Sequence, residues 1–146
     1  ICIIGDGSFL MNCQDLETIR QNHFNIIIIV VNNNGYLAIR HTQKEFLNKR
    51  YFGTSPEGNL TLPSIKNLAK AFKIKYFKLN NIKKEKNILN KLINLKGPKI
   101  CELVVDEDQD SLFKQGYKKN SNGTFSPMPL NEMYPFANKP ISNTNN

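Results

Sequence analysis

The sequence predicts an α/β fold, a doubly wound and mostly parallel sheet with helices on both faces. Two observations carry the prediction. Apolar runs alternate with segments of helical periodicity, and Gly, Asn or Pro marks each switch. The apolar run at residues 26–31 is β-branched throughout and lacks polar alternation, as expected of a strand buried on both faces inside a parallel sheet. Parallel strands need helical crossovers, so the order strand, helix, strand, helix, helix, strand, helix, strand implies winding on both faces of one sheet.

Each element has its own signal. Residues 1–4 form a buried strand that stops at Gly5-Asp6-Gly7-Ser8. Helical spacing then runs over residues 12–22, with Cys13, Leu16, Ile19 and Arg20 on one side. Asn12 is placed as its N-cap and Asp15, three residues on, as the capping-box acid. The second strand, 26–31, closes at Asn32-Asn33-Asn34-Gly35, and a short helix starting near Tyr36 covers Leu37 and Ile39. Residues 46–63 read as a loop broken by Gly53, Pro56 and Gly58. Ser64 caps a helix with Ile65, Leu68, Ala69 and Phe72 inside, and Tyr76, Phe77 and Leu79 mark a third strand. Asn80-Asn81 turns into a Lys-rich helix that buries Ile88, Leu89, Leu92 and Leu95. Gly97-Pro98 breaks it before a fourth strand at 100–105.

Residues 1–110 thus make an α/β domain that lacks its start. Residues 111–146, punctuated by Gly116, Gly123, Pro127, Pro129, Pro135 and Pro140, are expected to form an extended arm with a disordered end at 142–146. The first residue is Ile1, in mid-strand, so the chain is expected to be a piece of something longer, and its apolar opening is not read as a secretory signal. Its 146 residues carry 20 Lys and Arg against 12 Asp and Glu, a formal charge of +8. No apolar run approaches the ~20 residues that cross a bilayer, which excludes a transmembrane helix. Cys2, Cys13 and Cys101 have no paired spacing and read as buried thiols of a reducing compartment, hence a cytoplasmic protein.

In an open parallel sheet, ligands bind beyond the carboxyl ends of the strands. Two such ends run straight into helices, at Asp6 and at Asn33. If the two strands are neighbours, these residues lie on one edge, about one strand spacing (~4.8 Å) apart. Asp6 offers a hard anionic oxygen, Asn33 a neutral amide oxygen and Gly35 a backbone carbonyl. That set suits Mg²⁺, which takes one or two carboxylates and fills its other positions with substrate phosphate. A neutral Asn33 avoids repelling that phosphate. Gly7 permits close backbone approach, Ser8 donates a hydroxyl bond, and the helix starts add oriented N–H groups. The inferred ligand is a metal-bound diphosphate.

The residues that carry this site also carry a resemblance. Gly-Asp-Gly-Ser-Phe at 5–9 with the following Met11-Asn12, Gln14, Leu16 and Thr18-Ile19, then Asn32-Asn33 and Gly35-Tyr36, resembles the diphosphate-binding domain of thiamine diphosphate enzymes, nearest to the acetolactate synthase large-subunit group. Ile39-Arg40, Thr42-Gln43, Pro63-Ser64 and the Pro129-to-Pro135 stretch resemble that group too. The resemblance implies that Asp6, Asn33 and the Gly35 carbonyl bind Mg²⁺, while Gly5, Gly7, Ser8 and Tyr36 join them around thiamine diphosphate. It further implies decarboxylation of a 2-keto acid such as pyruvate and ligation of the product to a carbonyl acceptor. A homodimer or homotetramer is implied in full-length form, where FAD could also bind. The family's activating Glu comes from another domain and has no match here, so the chain alone is expected to be inactive. His41 and Asp15 depart from the usual Gln and Glu.

Other readings are kept beside this one. Within the fold they are a simple 2-keto acid decarboxylase, a C–C hydrolase, or an isolated module or gene remnant that binds cofactor weakly. Across classes it is a basic nucleic-acid-binding module, disfavoured because the basic residues are dispersed and no aromatic-basic strand motif appears. No nucleic-acid or membrane partner is therefore expected. His23 reads as a turn histidine, His41 as a surface or interface residue, and Lys83, Lys84, Lys86 and Lys91 as a wet helix face. Asp106, Asp108 and Asp110 begin like a calcium loop, but Ser111 and Tyr117 stand where its Gly and Glu belong.

Overall fold

The computed structural model describes residues 1–81, 85–109 and 115–133. The chain divides into two compact units, Ile1–Gln109 and Asp110–Asn146. The first holds β1 (Cys2–Gly5), α1 (Asp6–Met11), α2 (Asp15–Gln21), β2 (Ile27–Asn32), α3 (Leu37–Phe46), α4 (Ile65–Ala71), β3 (Lys75–Leu79), α5 (Lys86–Asn94) and β4 (Lys99–Val104). A 3₁₀ turn at Pro56–Gly58 interrupts the loop after α3. All four strands are parallel, in the order β1-β2-β4-β3.

The two faces follow from the alternation of side chains along a strand. Ile28 and Val30 of β2 and Ile100 of β4 pack with Phe9, Leu16, Ile65 and Ala69 from α1, α2 and α4. The intervening residues Ile27, Ile29, Cys101 and Leu103 turn the other way, where Leu92, Ile88 and Leu89 of α5 meet them. Helices therefore cover both faces, as the unalternating run at 26–31 predicts. Ser64 caps α4 as expected: its hydroxyl accepts from the Asn67 amide at 3.3 Å, a contact worth about 1 kcal/mol. At the amino end of the sheet, buried Lys99 donates to Asn25 Oδ1 at 3.1 Å and to the Leu95 carbonyl at the end of α5. A cation is favoured there by the helix dipole.

Several expectations are corrected. The helix read over residues 12–22 is the shorter α2, and a separate helix not foreseen in the sequence, α1, begins at Asp6, directly after extended Gly5. Asn12 ends α1 instead of starting a helix; Gln14 precedes α2 without a side-chain cap, and Asp15 is the first residue of α2. Asp6 thus sits in a helical turn instead of a loose strand end. α3 runs ten residues, and its buried side chains are Arg40 and Gln43, while Ile39 is half exposed. The inner face is polar because α3 covers the loop after it, whose carbonyls and hydroxyl need donors and acceptors. Cys2 is exposed, Cys13 half-buried and Cys101 buried. Burial, the leading cause, with the neighbouring Glu102 and Glu85 carboxylates, pushes the Cys101 thiol up to about 11.

In the second unit the expected extended arm contains a hairpin, β5 (Tyr117–Lys119) against β6 (Phe125–Pro127), followed by a 3₁₀ turn at Leu130–Glu132. Asn120 fastens its tip by donating to Thr124 and Ser126 hydroxyls at 3.0 and 2.8 Å. The end expected to be disordered, 142–146, lies outside the described residues, as do Lys83, Lys84 and Asp110.

The packing sets a stability contrast. Ile100 is fully enclosed and Ile93 is 66% exposed. Ile100→Ala is expected to cost about 2–5 kcal/mol in urea unfolding, and Ile93→Ala less than about 0.5 kcal/mol. Equal losses for the two would refute this placement of the core.

Candidate functional site

β1 and β2 lie side by side with Gly5 opposite Val31, so their carboxyl ends deliver Asp6 and the turn at 32–35 to one edge. Asp6 is buried. Its Oδ1 accepts from the Gly7 amide at 2.8 Å and its Oδ2 from the Gly35 amide at 2.9 Å. The second bond joins the two turns that the sequence singles out. Among the described residues Asp6 forms no ion pair, although a carboxylate removed from water carries a desolvation cost of several kcal/mol.

The turn itself is tightly determined. Asn34 has φ +60 and Gly35 φ +139. A Cβ on Gly35 would stand 2.2 Å from the Thr54 carbonyl oxygen, so only glycine fits. That carbonyl accepts from the Tyr36 amide at 2.9 Å and from Arg40 Nη1 at 3.3 Å. Arg40 is 4% exposed, and its guanidinium also donates to the carbonyls of Asn33 at 2.9 Å, Asn34 at 3.3 Å and Glu107. Gln43, one turn further along α3, accepts from the Thr54 hydroxyl at 2.7 Å and donates to the Phe52 carbonyl at 3.1 Å.

A second group of bonds reaches the turn from inside the sheet. The Asn34 amide donates to Asn32 Oδ1 at 3.0 Å, and Asn32 Nδ2 donates to Glu102 Oε1 at 2.6 Å. Glu102 on β4 is buried, and Tyr76 on β3 donates its hydroxyl to the other carboxylate oxygen. Burial first, and then this hydrogen bond to Glu102, hold the Tyr76 phenol well above the usual tyrosine range.

The other residues singled out fall around this centre. Gly7 is buried with its bare Cα against the Tyr36 ring, where a Cβ would approach Tyr36 Cε1 to 2.4 Å. The space that a side chain at position 7 would need is taken by the Tyr36 ring. Gly5 and Ser8 are exposed, with open space above Gly5. His41 is half-buried on α3, and His23 is an exposed left-handed turn residue with φ +52. Arg40, Gln43, Thr54 and Glu102 were not read as site residues. Arg40 and Gln43 on one side of an otherwise amphipathic helix were the available signal.

The donor chemistry admits a cation. Asn33 Oδ1 is buried and has no hydrogen-bond partner, an unmet acceptor in the very turn that Asp6 holds. No group of three His, Cys, Asp or Glu among the described residues could hold a metal ion. A metal at this edge would have to combine one carboxylate with amide and carbonyl oxygens and with oxygens of its own ligand, which is the pattern of Mg²⁺ bound to phosphate.

Over residues 1–103 the chain matches the family described as thiamine pyrophosphate enzyme, C-terminal TPP binding domain. The chain belongs to that family. The acetolactate synthase large subunit of Pyropia yezoensis is 37% identical over 111 residues, 75% of this chain and 18% of that protein. An acetolactate synthase of Arthrospira platensis is 35% identical over 109 residues, again 75% and 18%. The large subunit of acetolactate synthase isozyme 2 of Escherichia coli strain K12 is 31% identical over 107 residues, 73% and 19%. The thiamine pyrophosphate-binding domain seen here therefore spans less than a fifth of the length of these relatives. Among its described residues, no helix is long and apolar enough to cross a membrane.

The internal bonds of this domain make a pH prediction. A phenol whose value is raised by folding adds stability below the unfolded value, about 10, and loses it as pH rises through the folded value. Tyr76 is thus expected to ionise in a last step, together with unfolding. An alkaline absorbance titration of Tyr76→Phe should lack that last step; loss of an early step would contradict the assignment.

Proposed function

We propose that this chain is the Mg²⁺ and thiamine diphosphate anchor of an acetolactate synthase-like enzyme. Asp6, the Asn33 side-chain oxygen and the Gly35 carbonyl would hold the ion, and Gly5, Gly7, Ser8 and Tyr36 would line the diphosphate. The observation that carries the reading is the orphaned, buried Asn33 Oδ1 beside the turn fixed by Asp6. A buried acceptor without a partner costs about 1–3 kcal/mol, and a cation shared with Asp6 would remove that cost. When bound, thiamine diphosphate supplies the electron sink for breaking and making bonds next to a carbonyl.

The chain's own part is binding and orientation. Asp6 contributes the one charged ligand, and its bonds to Gly7 and Gly35 keep it aimed without a competing cation. The neutral Asn33 lets a dianionic phosphate approach. To the longer protein we assign the substrates that the sequence resemblance implies, a 2-keto acid donor and a carbonyl acceptor, together with a homodimeric or homotetrameric, cytoplasmic full-length form. Because the matched region is so small a share of each relative, we assign the chemical steps to the longer form and the anchoring to this chain. FAD, where it binds, belongs to that longer form as well.

Two outcomes test this. Asp6→Asn retains an oxygen acceptor for the Gly35 amide but removes the charge; it should weaken Mg²⁺-dependent thiamine diphosphate binding at least about 100-fold, or about 2.7 kcal/mol. Unchanged affinity by calorimetry would sink the metal assignment. The isolated chain should bind the cofactor yet release no CO₂ from pyruvate, and measurable release would show that the chemistry resides here after all.

A further inference from the structure

The two peptide groups of the metal turn are gripped from opposite sides. The Asn34–Gly35 peptide gives its N–H to the Asp6 carboxylate at 2.9 Å, and its C=O accepts from Arg40 Nη1 at 3.3 Å. The preceding Asn33–Asn34 peptide gives its N–H to Asn32 Oδ1 at 3.0 Å, and its C=O accepts from Arg40 Nη2 at 2.9 Å. In each case an oxygen acceptor holds the amide side and the same guanidinium holds the carbonyl side. The amide side is anionic at Asp6 and is backed at Asn32 by the buried Glu102 carboxylate.

From this we infer that Arg40 is a positioning residue, which sets the Asn33–Gly35 turn in its ligand-ready shape before any ligand arrives. The inference rests on the reading of that turn as the metal and diphosphate site, and it adds a residue that touches neither. The guanidinium reaches four carbonyls, those of Asn33, Asn34, Thr54 and Glu107, while its own Nε has no partner. Its place is thus set by the carbonyls it serves. A planar fork can bridge several acceptors at fixed angles, whereas a lysine ammonium is a point charge on a flexible stem. The fork matters because the shape it holds is costly: Asn34 sits in left-handed backbone, and Asn33 Oδ1 stays buried with no partner. Left alone, the turn would relax and satisfy that oxygen with solvent.

Arg40→Lys is the test, since it keeps the charge and removes the fork. Amide exchange is read by NMR in the ligand-free chain. The Asn34 and Gly35 amides should already exchange at least 100-fold more slowly than in unstructured peptide. They should speed up at least tenfold in Arg40→Lys, with Ile29 and Val30 of β2 unchanged. Fast exchange of the two amides in the unmutated chain would overturn the inference, and so would a uniform acceleration, which marks general destabilisation. The first of these arms needs no variant to fold.

Binding supplies the second readout. Arg40→Lys should weaken Mg²⁺-dependent thiamine diphosphate binding at least tenfold, yet less than about twofold further when Asn33 is already Ala. Residues acting through one another give such non-additive losses; losses that multiply in full would overturn the inference. If the unmutated chain shows no Mg²⁺-dependent binding, the site reading falls, while the exchange measurement still decides the role of Arg40.

Discussion

The peptide between Asn34 and Gly35 lies between two buried charges, the carboxylate of Asp6 at its N–H and the guanidinium of Arg40 at its C=O. Much of the local architecture is arranged around that constraint. α1 begins at Asp6 because the side chain must point back across the strand ends to reach Gly35. Position 35 must be glycine because the peptide is pressed against Thr54. α3 presents Arg40 and Gln43 inward, against the loop, because the carbonyls there need donors. The parallel register of β1 with β2 is what brings the two charges within reach of one peptide.

Neither charge has an ion-pair partner among the described residues, so peptide dipoles do the balancing. Hydrogen bonds to charged groups contribute about 1.5–3 kcal/mol each, and in a low-dielectric interior linked bonds polarise one another. Asp6 and Arg40 take opposite poles of the Asn34–Gly35 peptide. The Glu102–Tyr76 pair extends this inward through Asn32. Among the described residues, what remains unmet are the oxygen of Asn33 and Nε of Arg40. Of these two atoms only the Asn33 oxygen is an acceptor, and its place at the strand edge beside Asp6 is what supports the proposed cation there.

Much of this was legible in the sequence. The strand at 26–31 declared itself by lacking alternation, Ser64 by preceding a clean helical stripe, and the Asp6 and Asn33 turns by closing apolar runs, although β1 is largely exposed and not the buried strand that its run predicts. These are local patterns, and local patterns survive folding. The start of α1 was not legible, because Gly5-Asp6-Gly7 has turn propensity and the Asp6 to Gly35 bond that accompanies the helix start joins residues far apart in sequence. Arg40 and Glu102 were missed for a related reason. Their partners lie at positions 33, 34, 54 and 107, and at 32 and 76, so their meaning exists only once the sheet has formed. The hairpin at 117–127 hid among Gly and Pro breakers that also fit extended chain.

The central claim is that oxygens of Asp6, Asn33 and Gly35 share one divalent cation with a diphosphate. Mn²⁺ can replace Mg²⁺ in such a site, and its unpaired electrons broaden the NMR signals of nearby nuclei. Titrating Mn²⁺ into the chain with thiamine diphosphate present should erase the Gly7, Asn33 and Gly35 signals first. Broadening centred instead on Glu57 and Asp108, across the cavity of about 270 Å³ that Asn34 and Arg40 also line, or no selective broadening at all, would contradict the account.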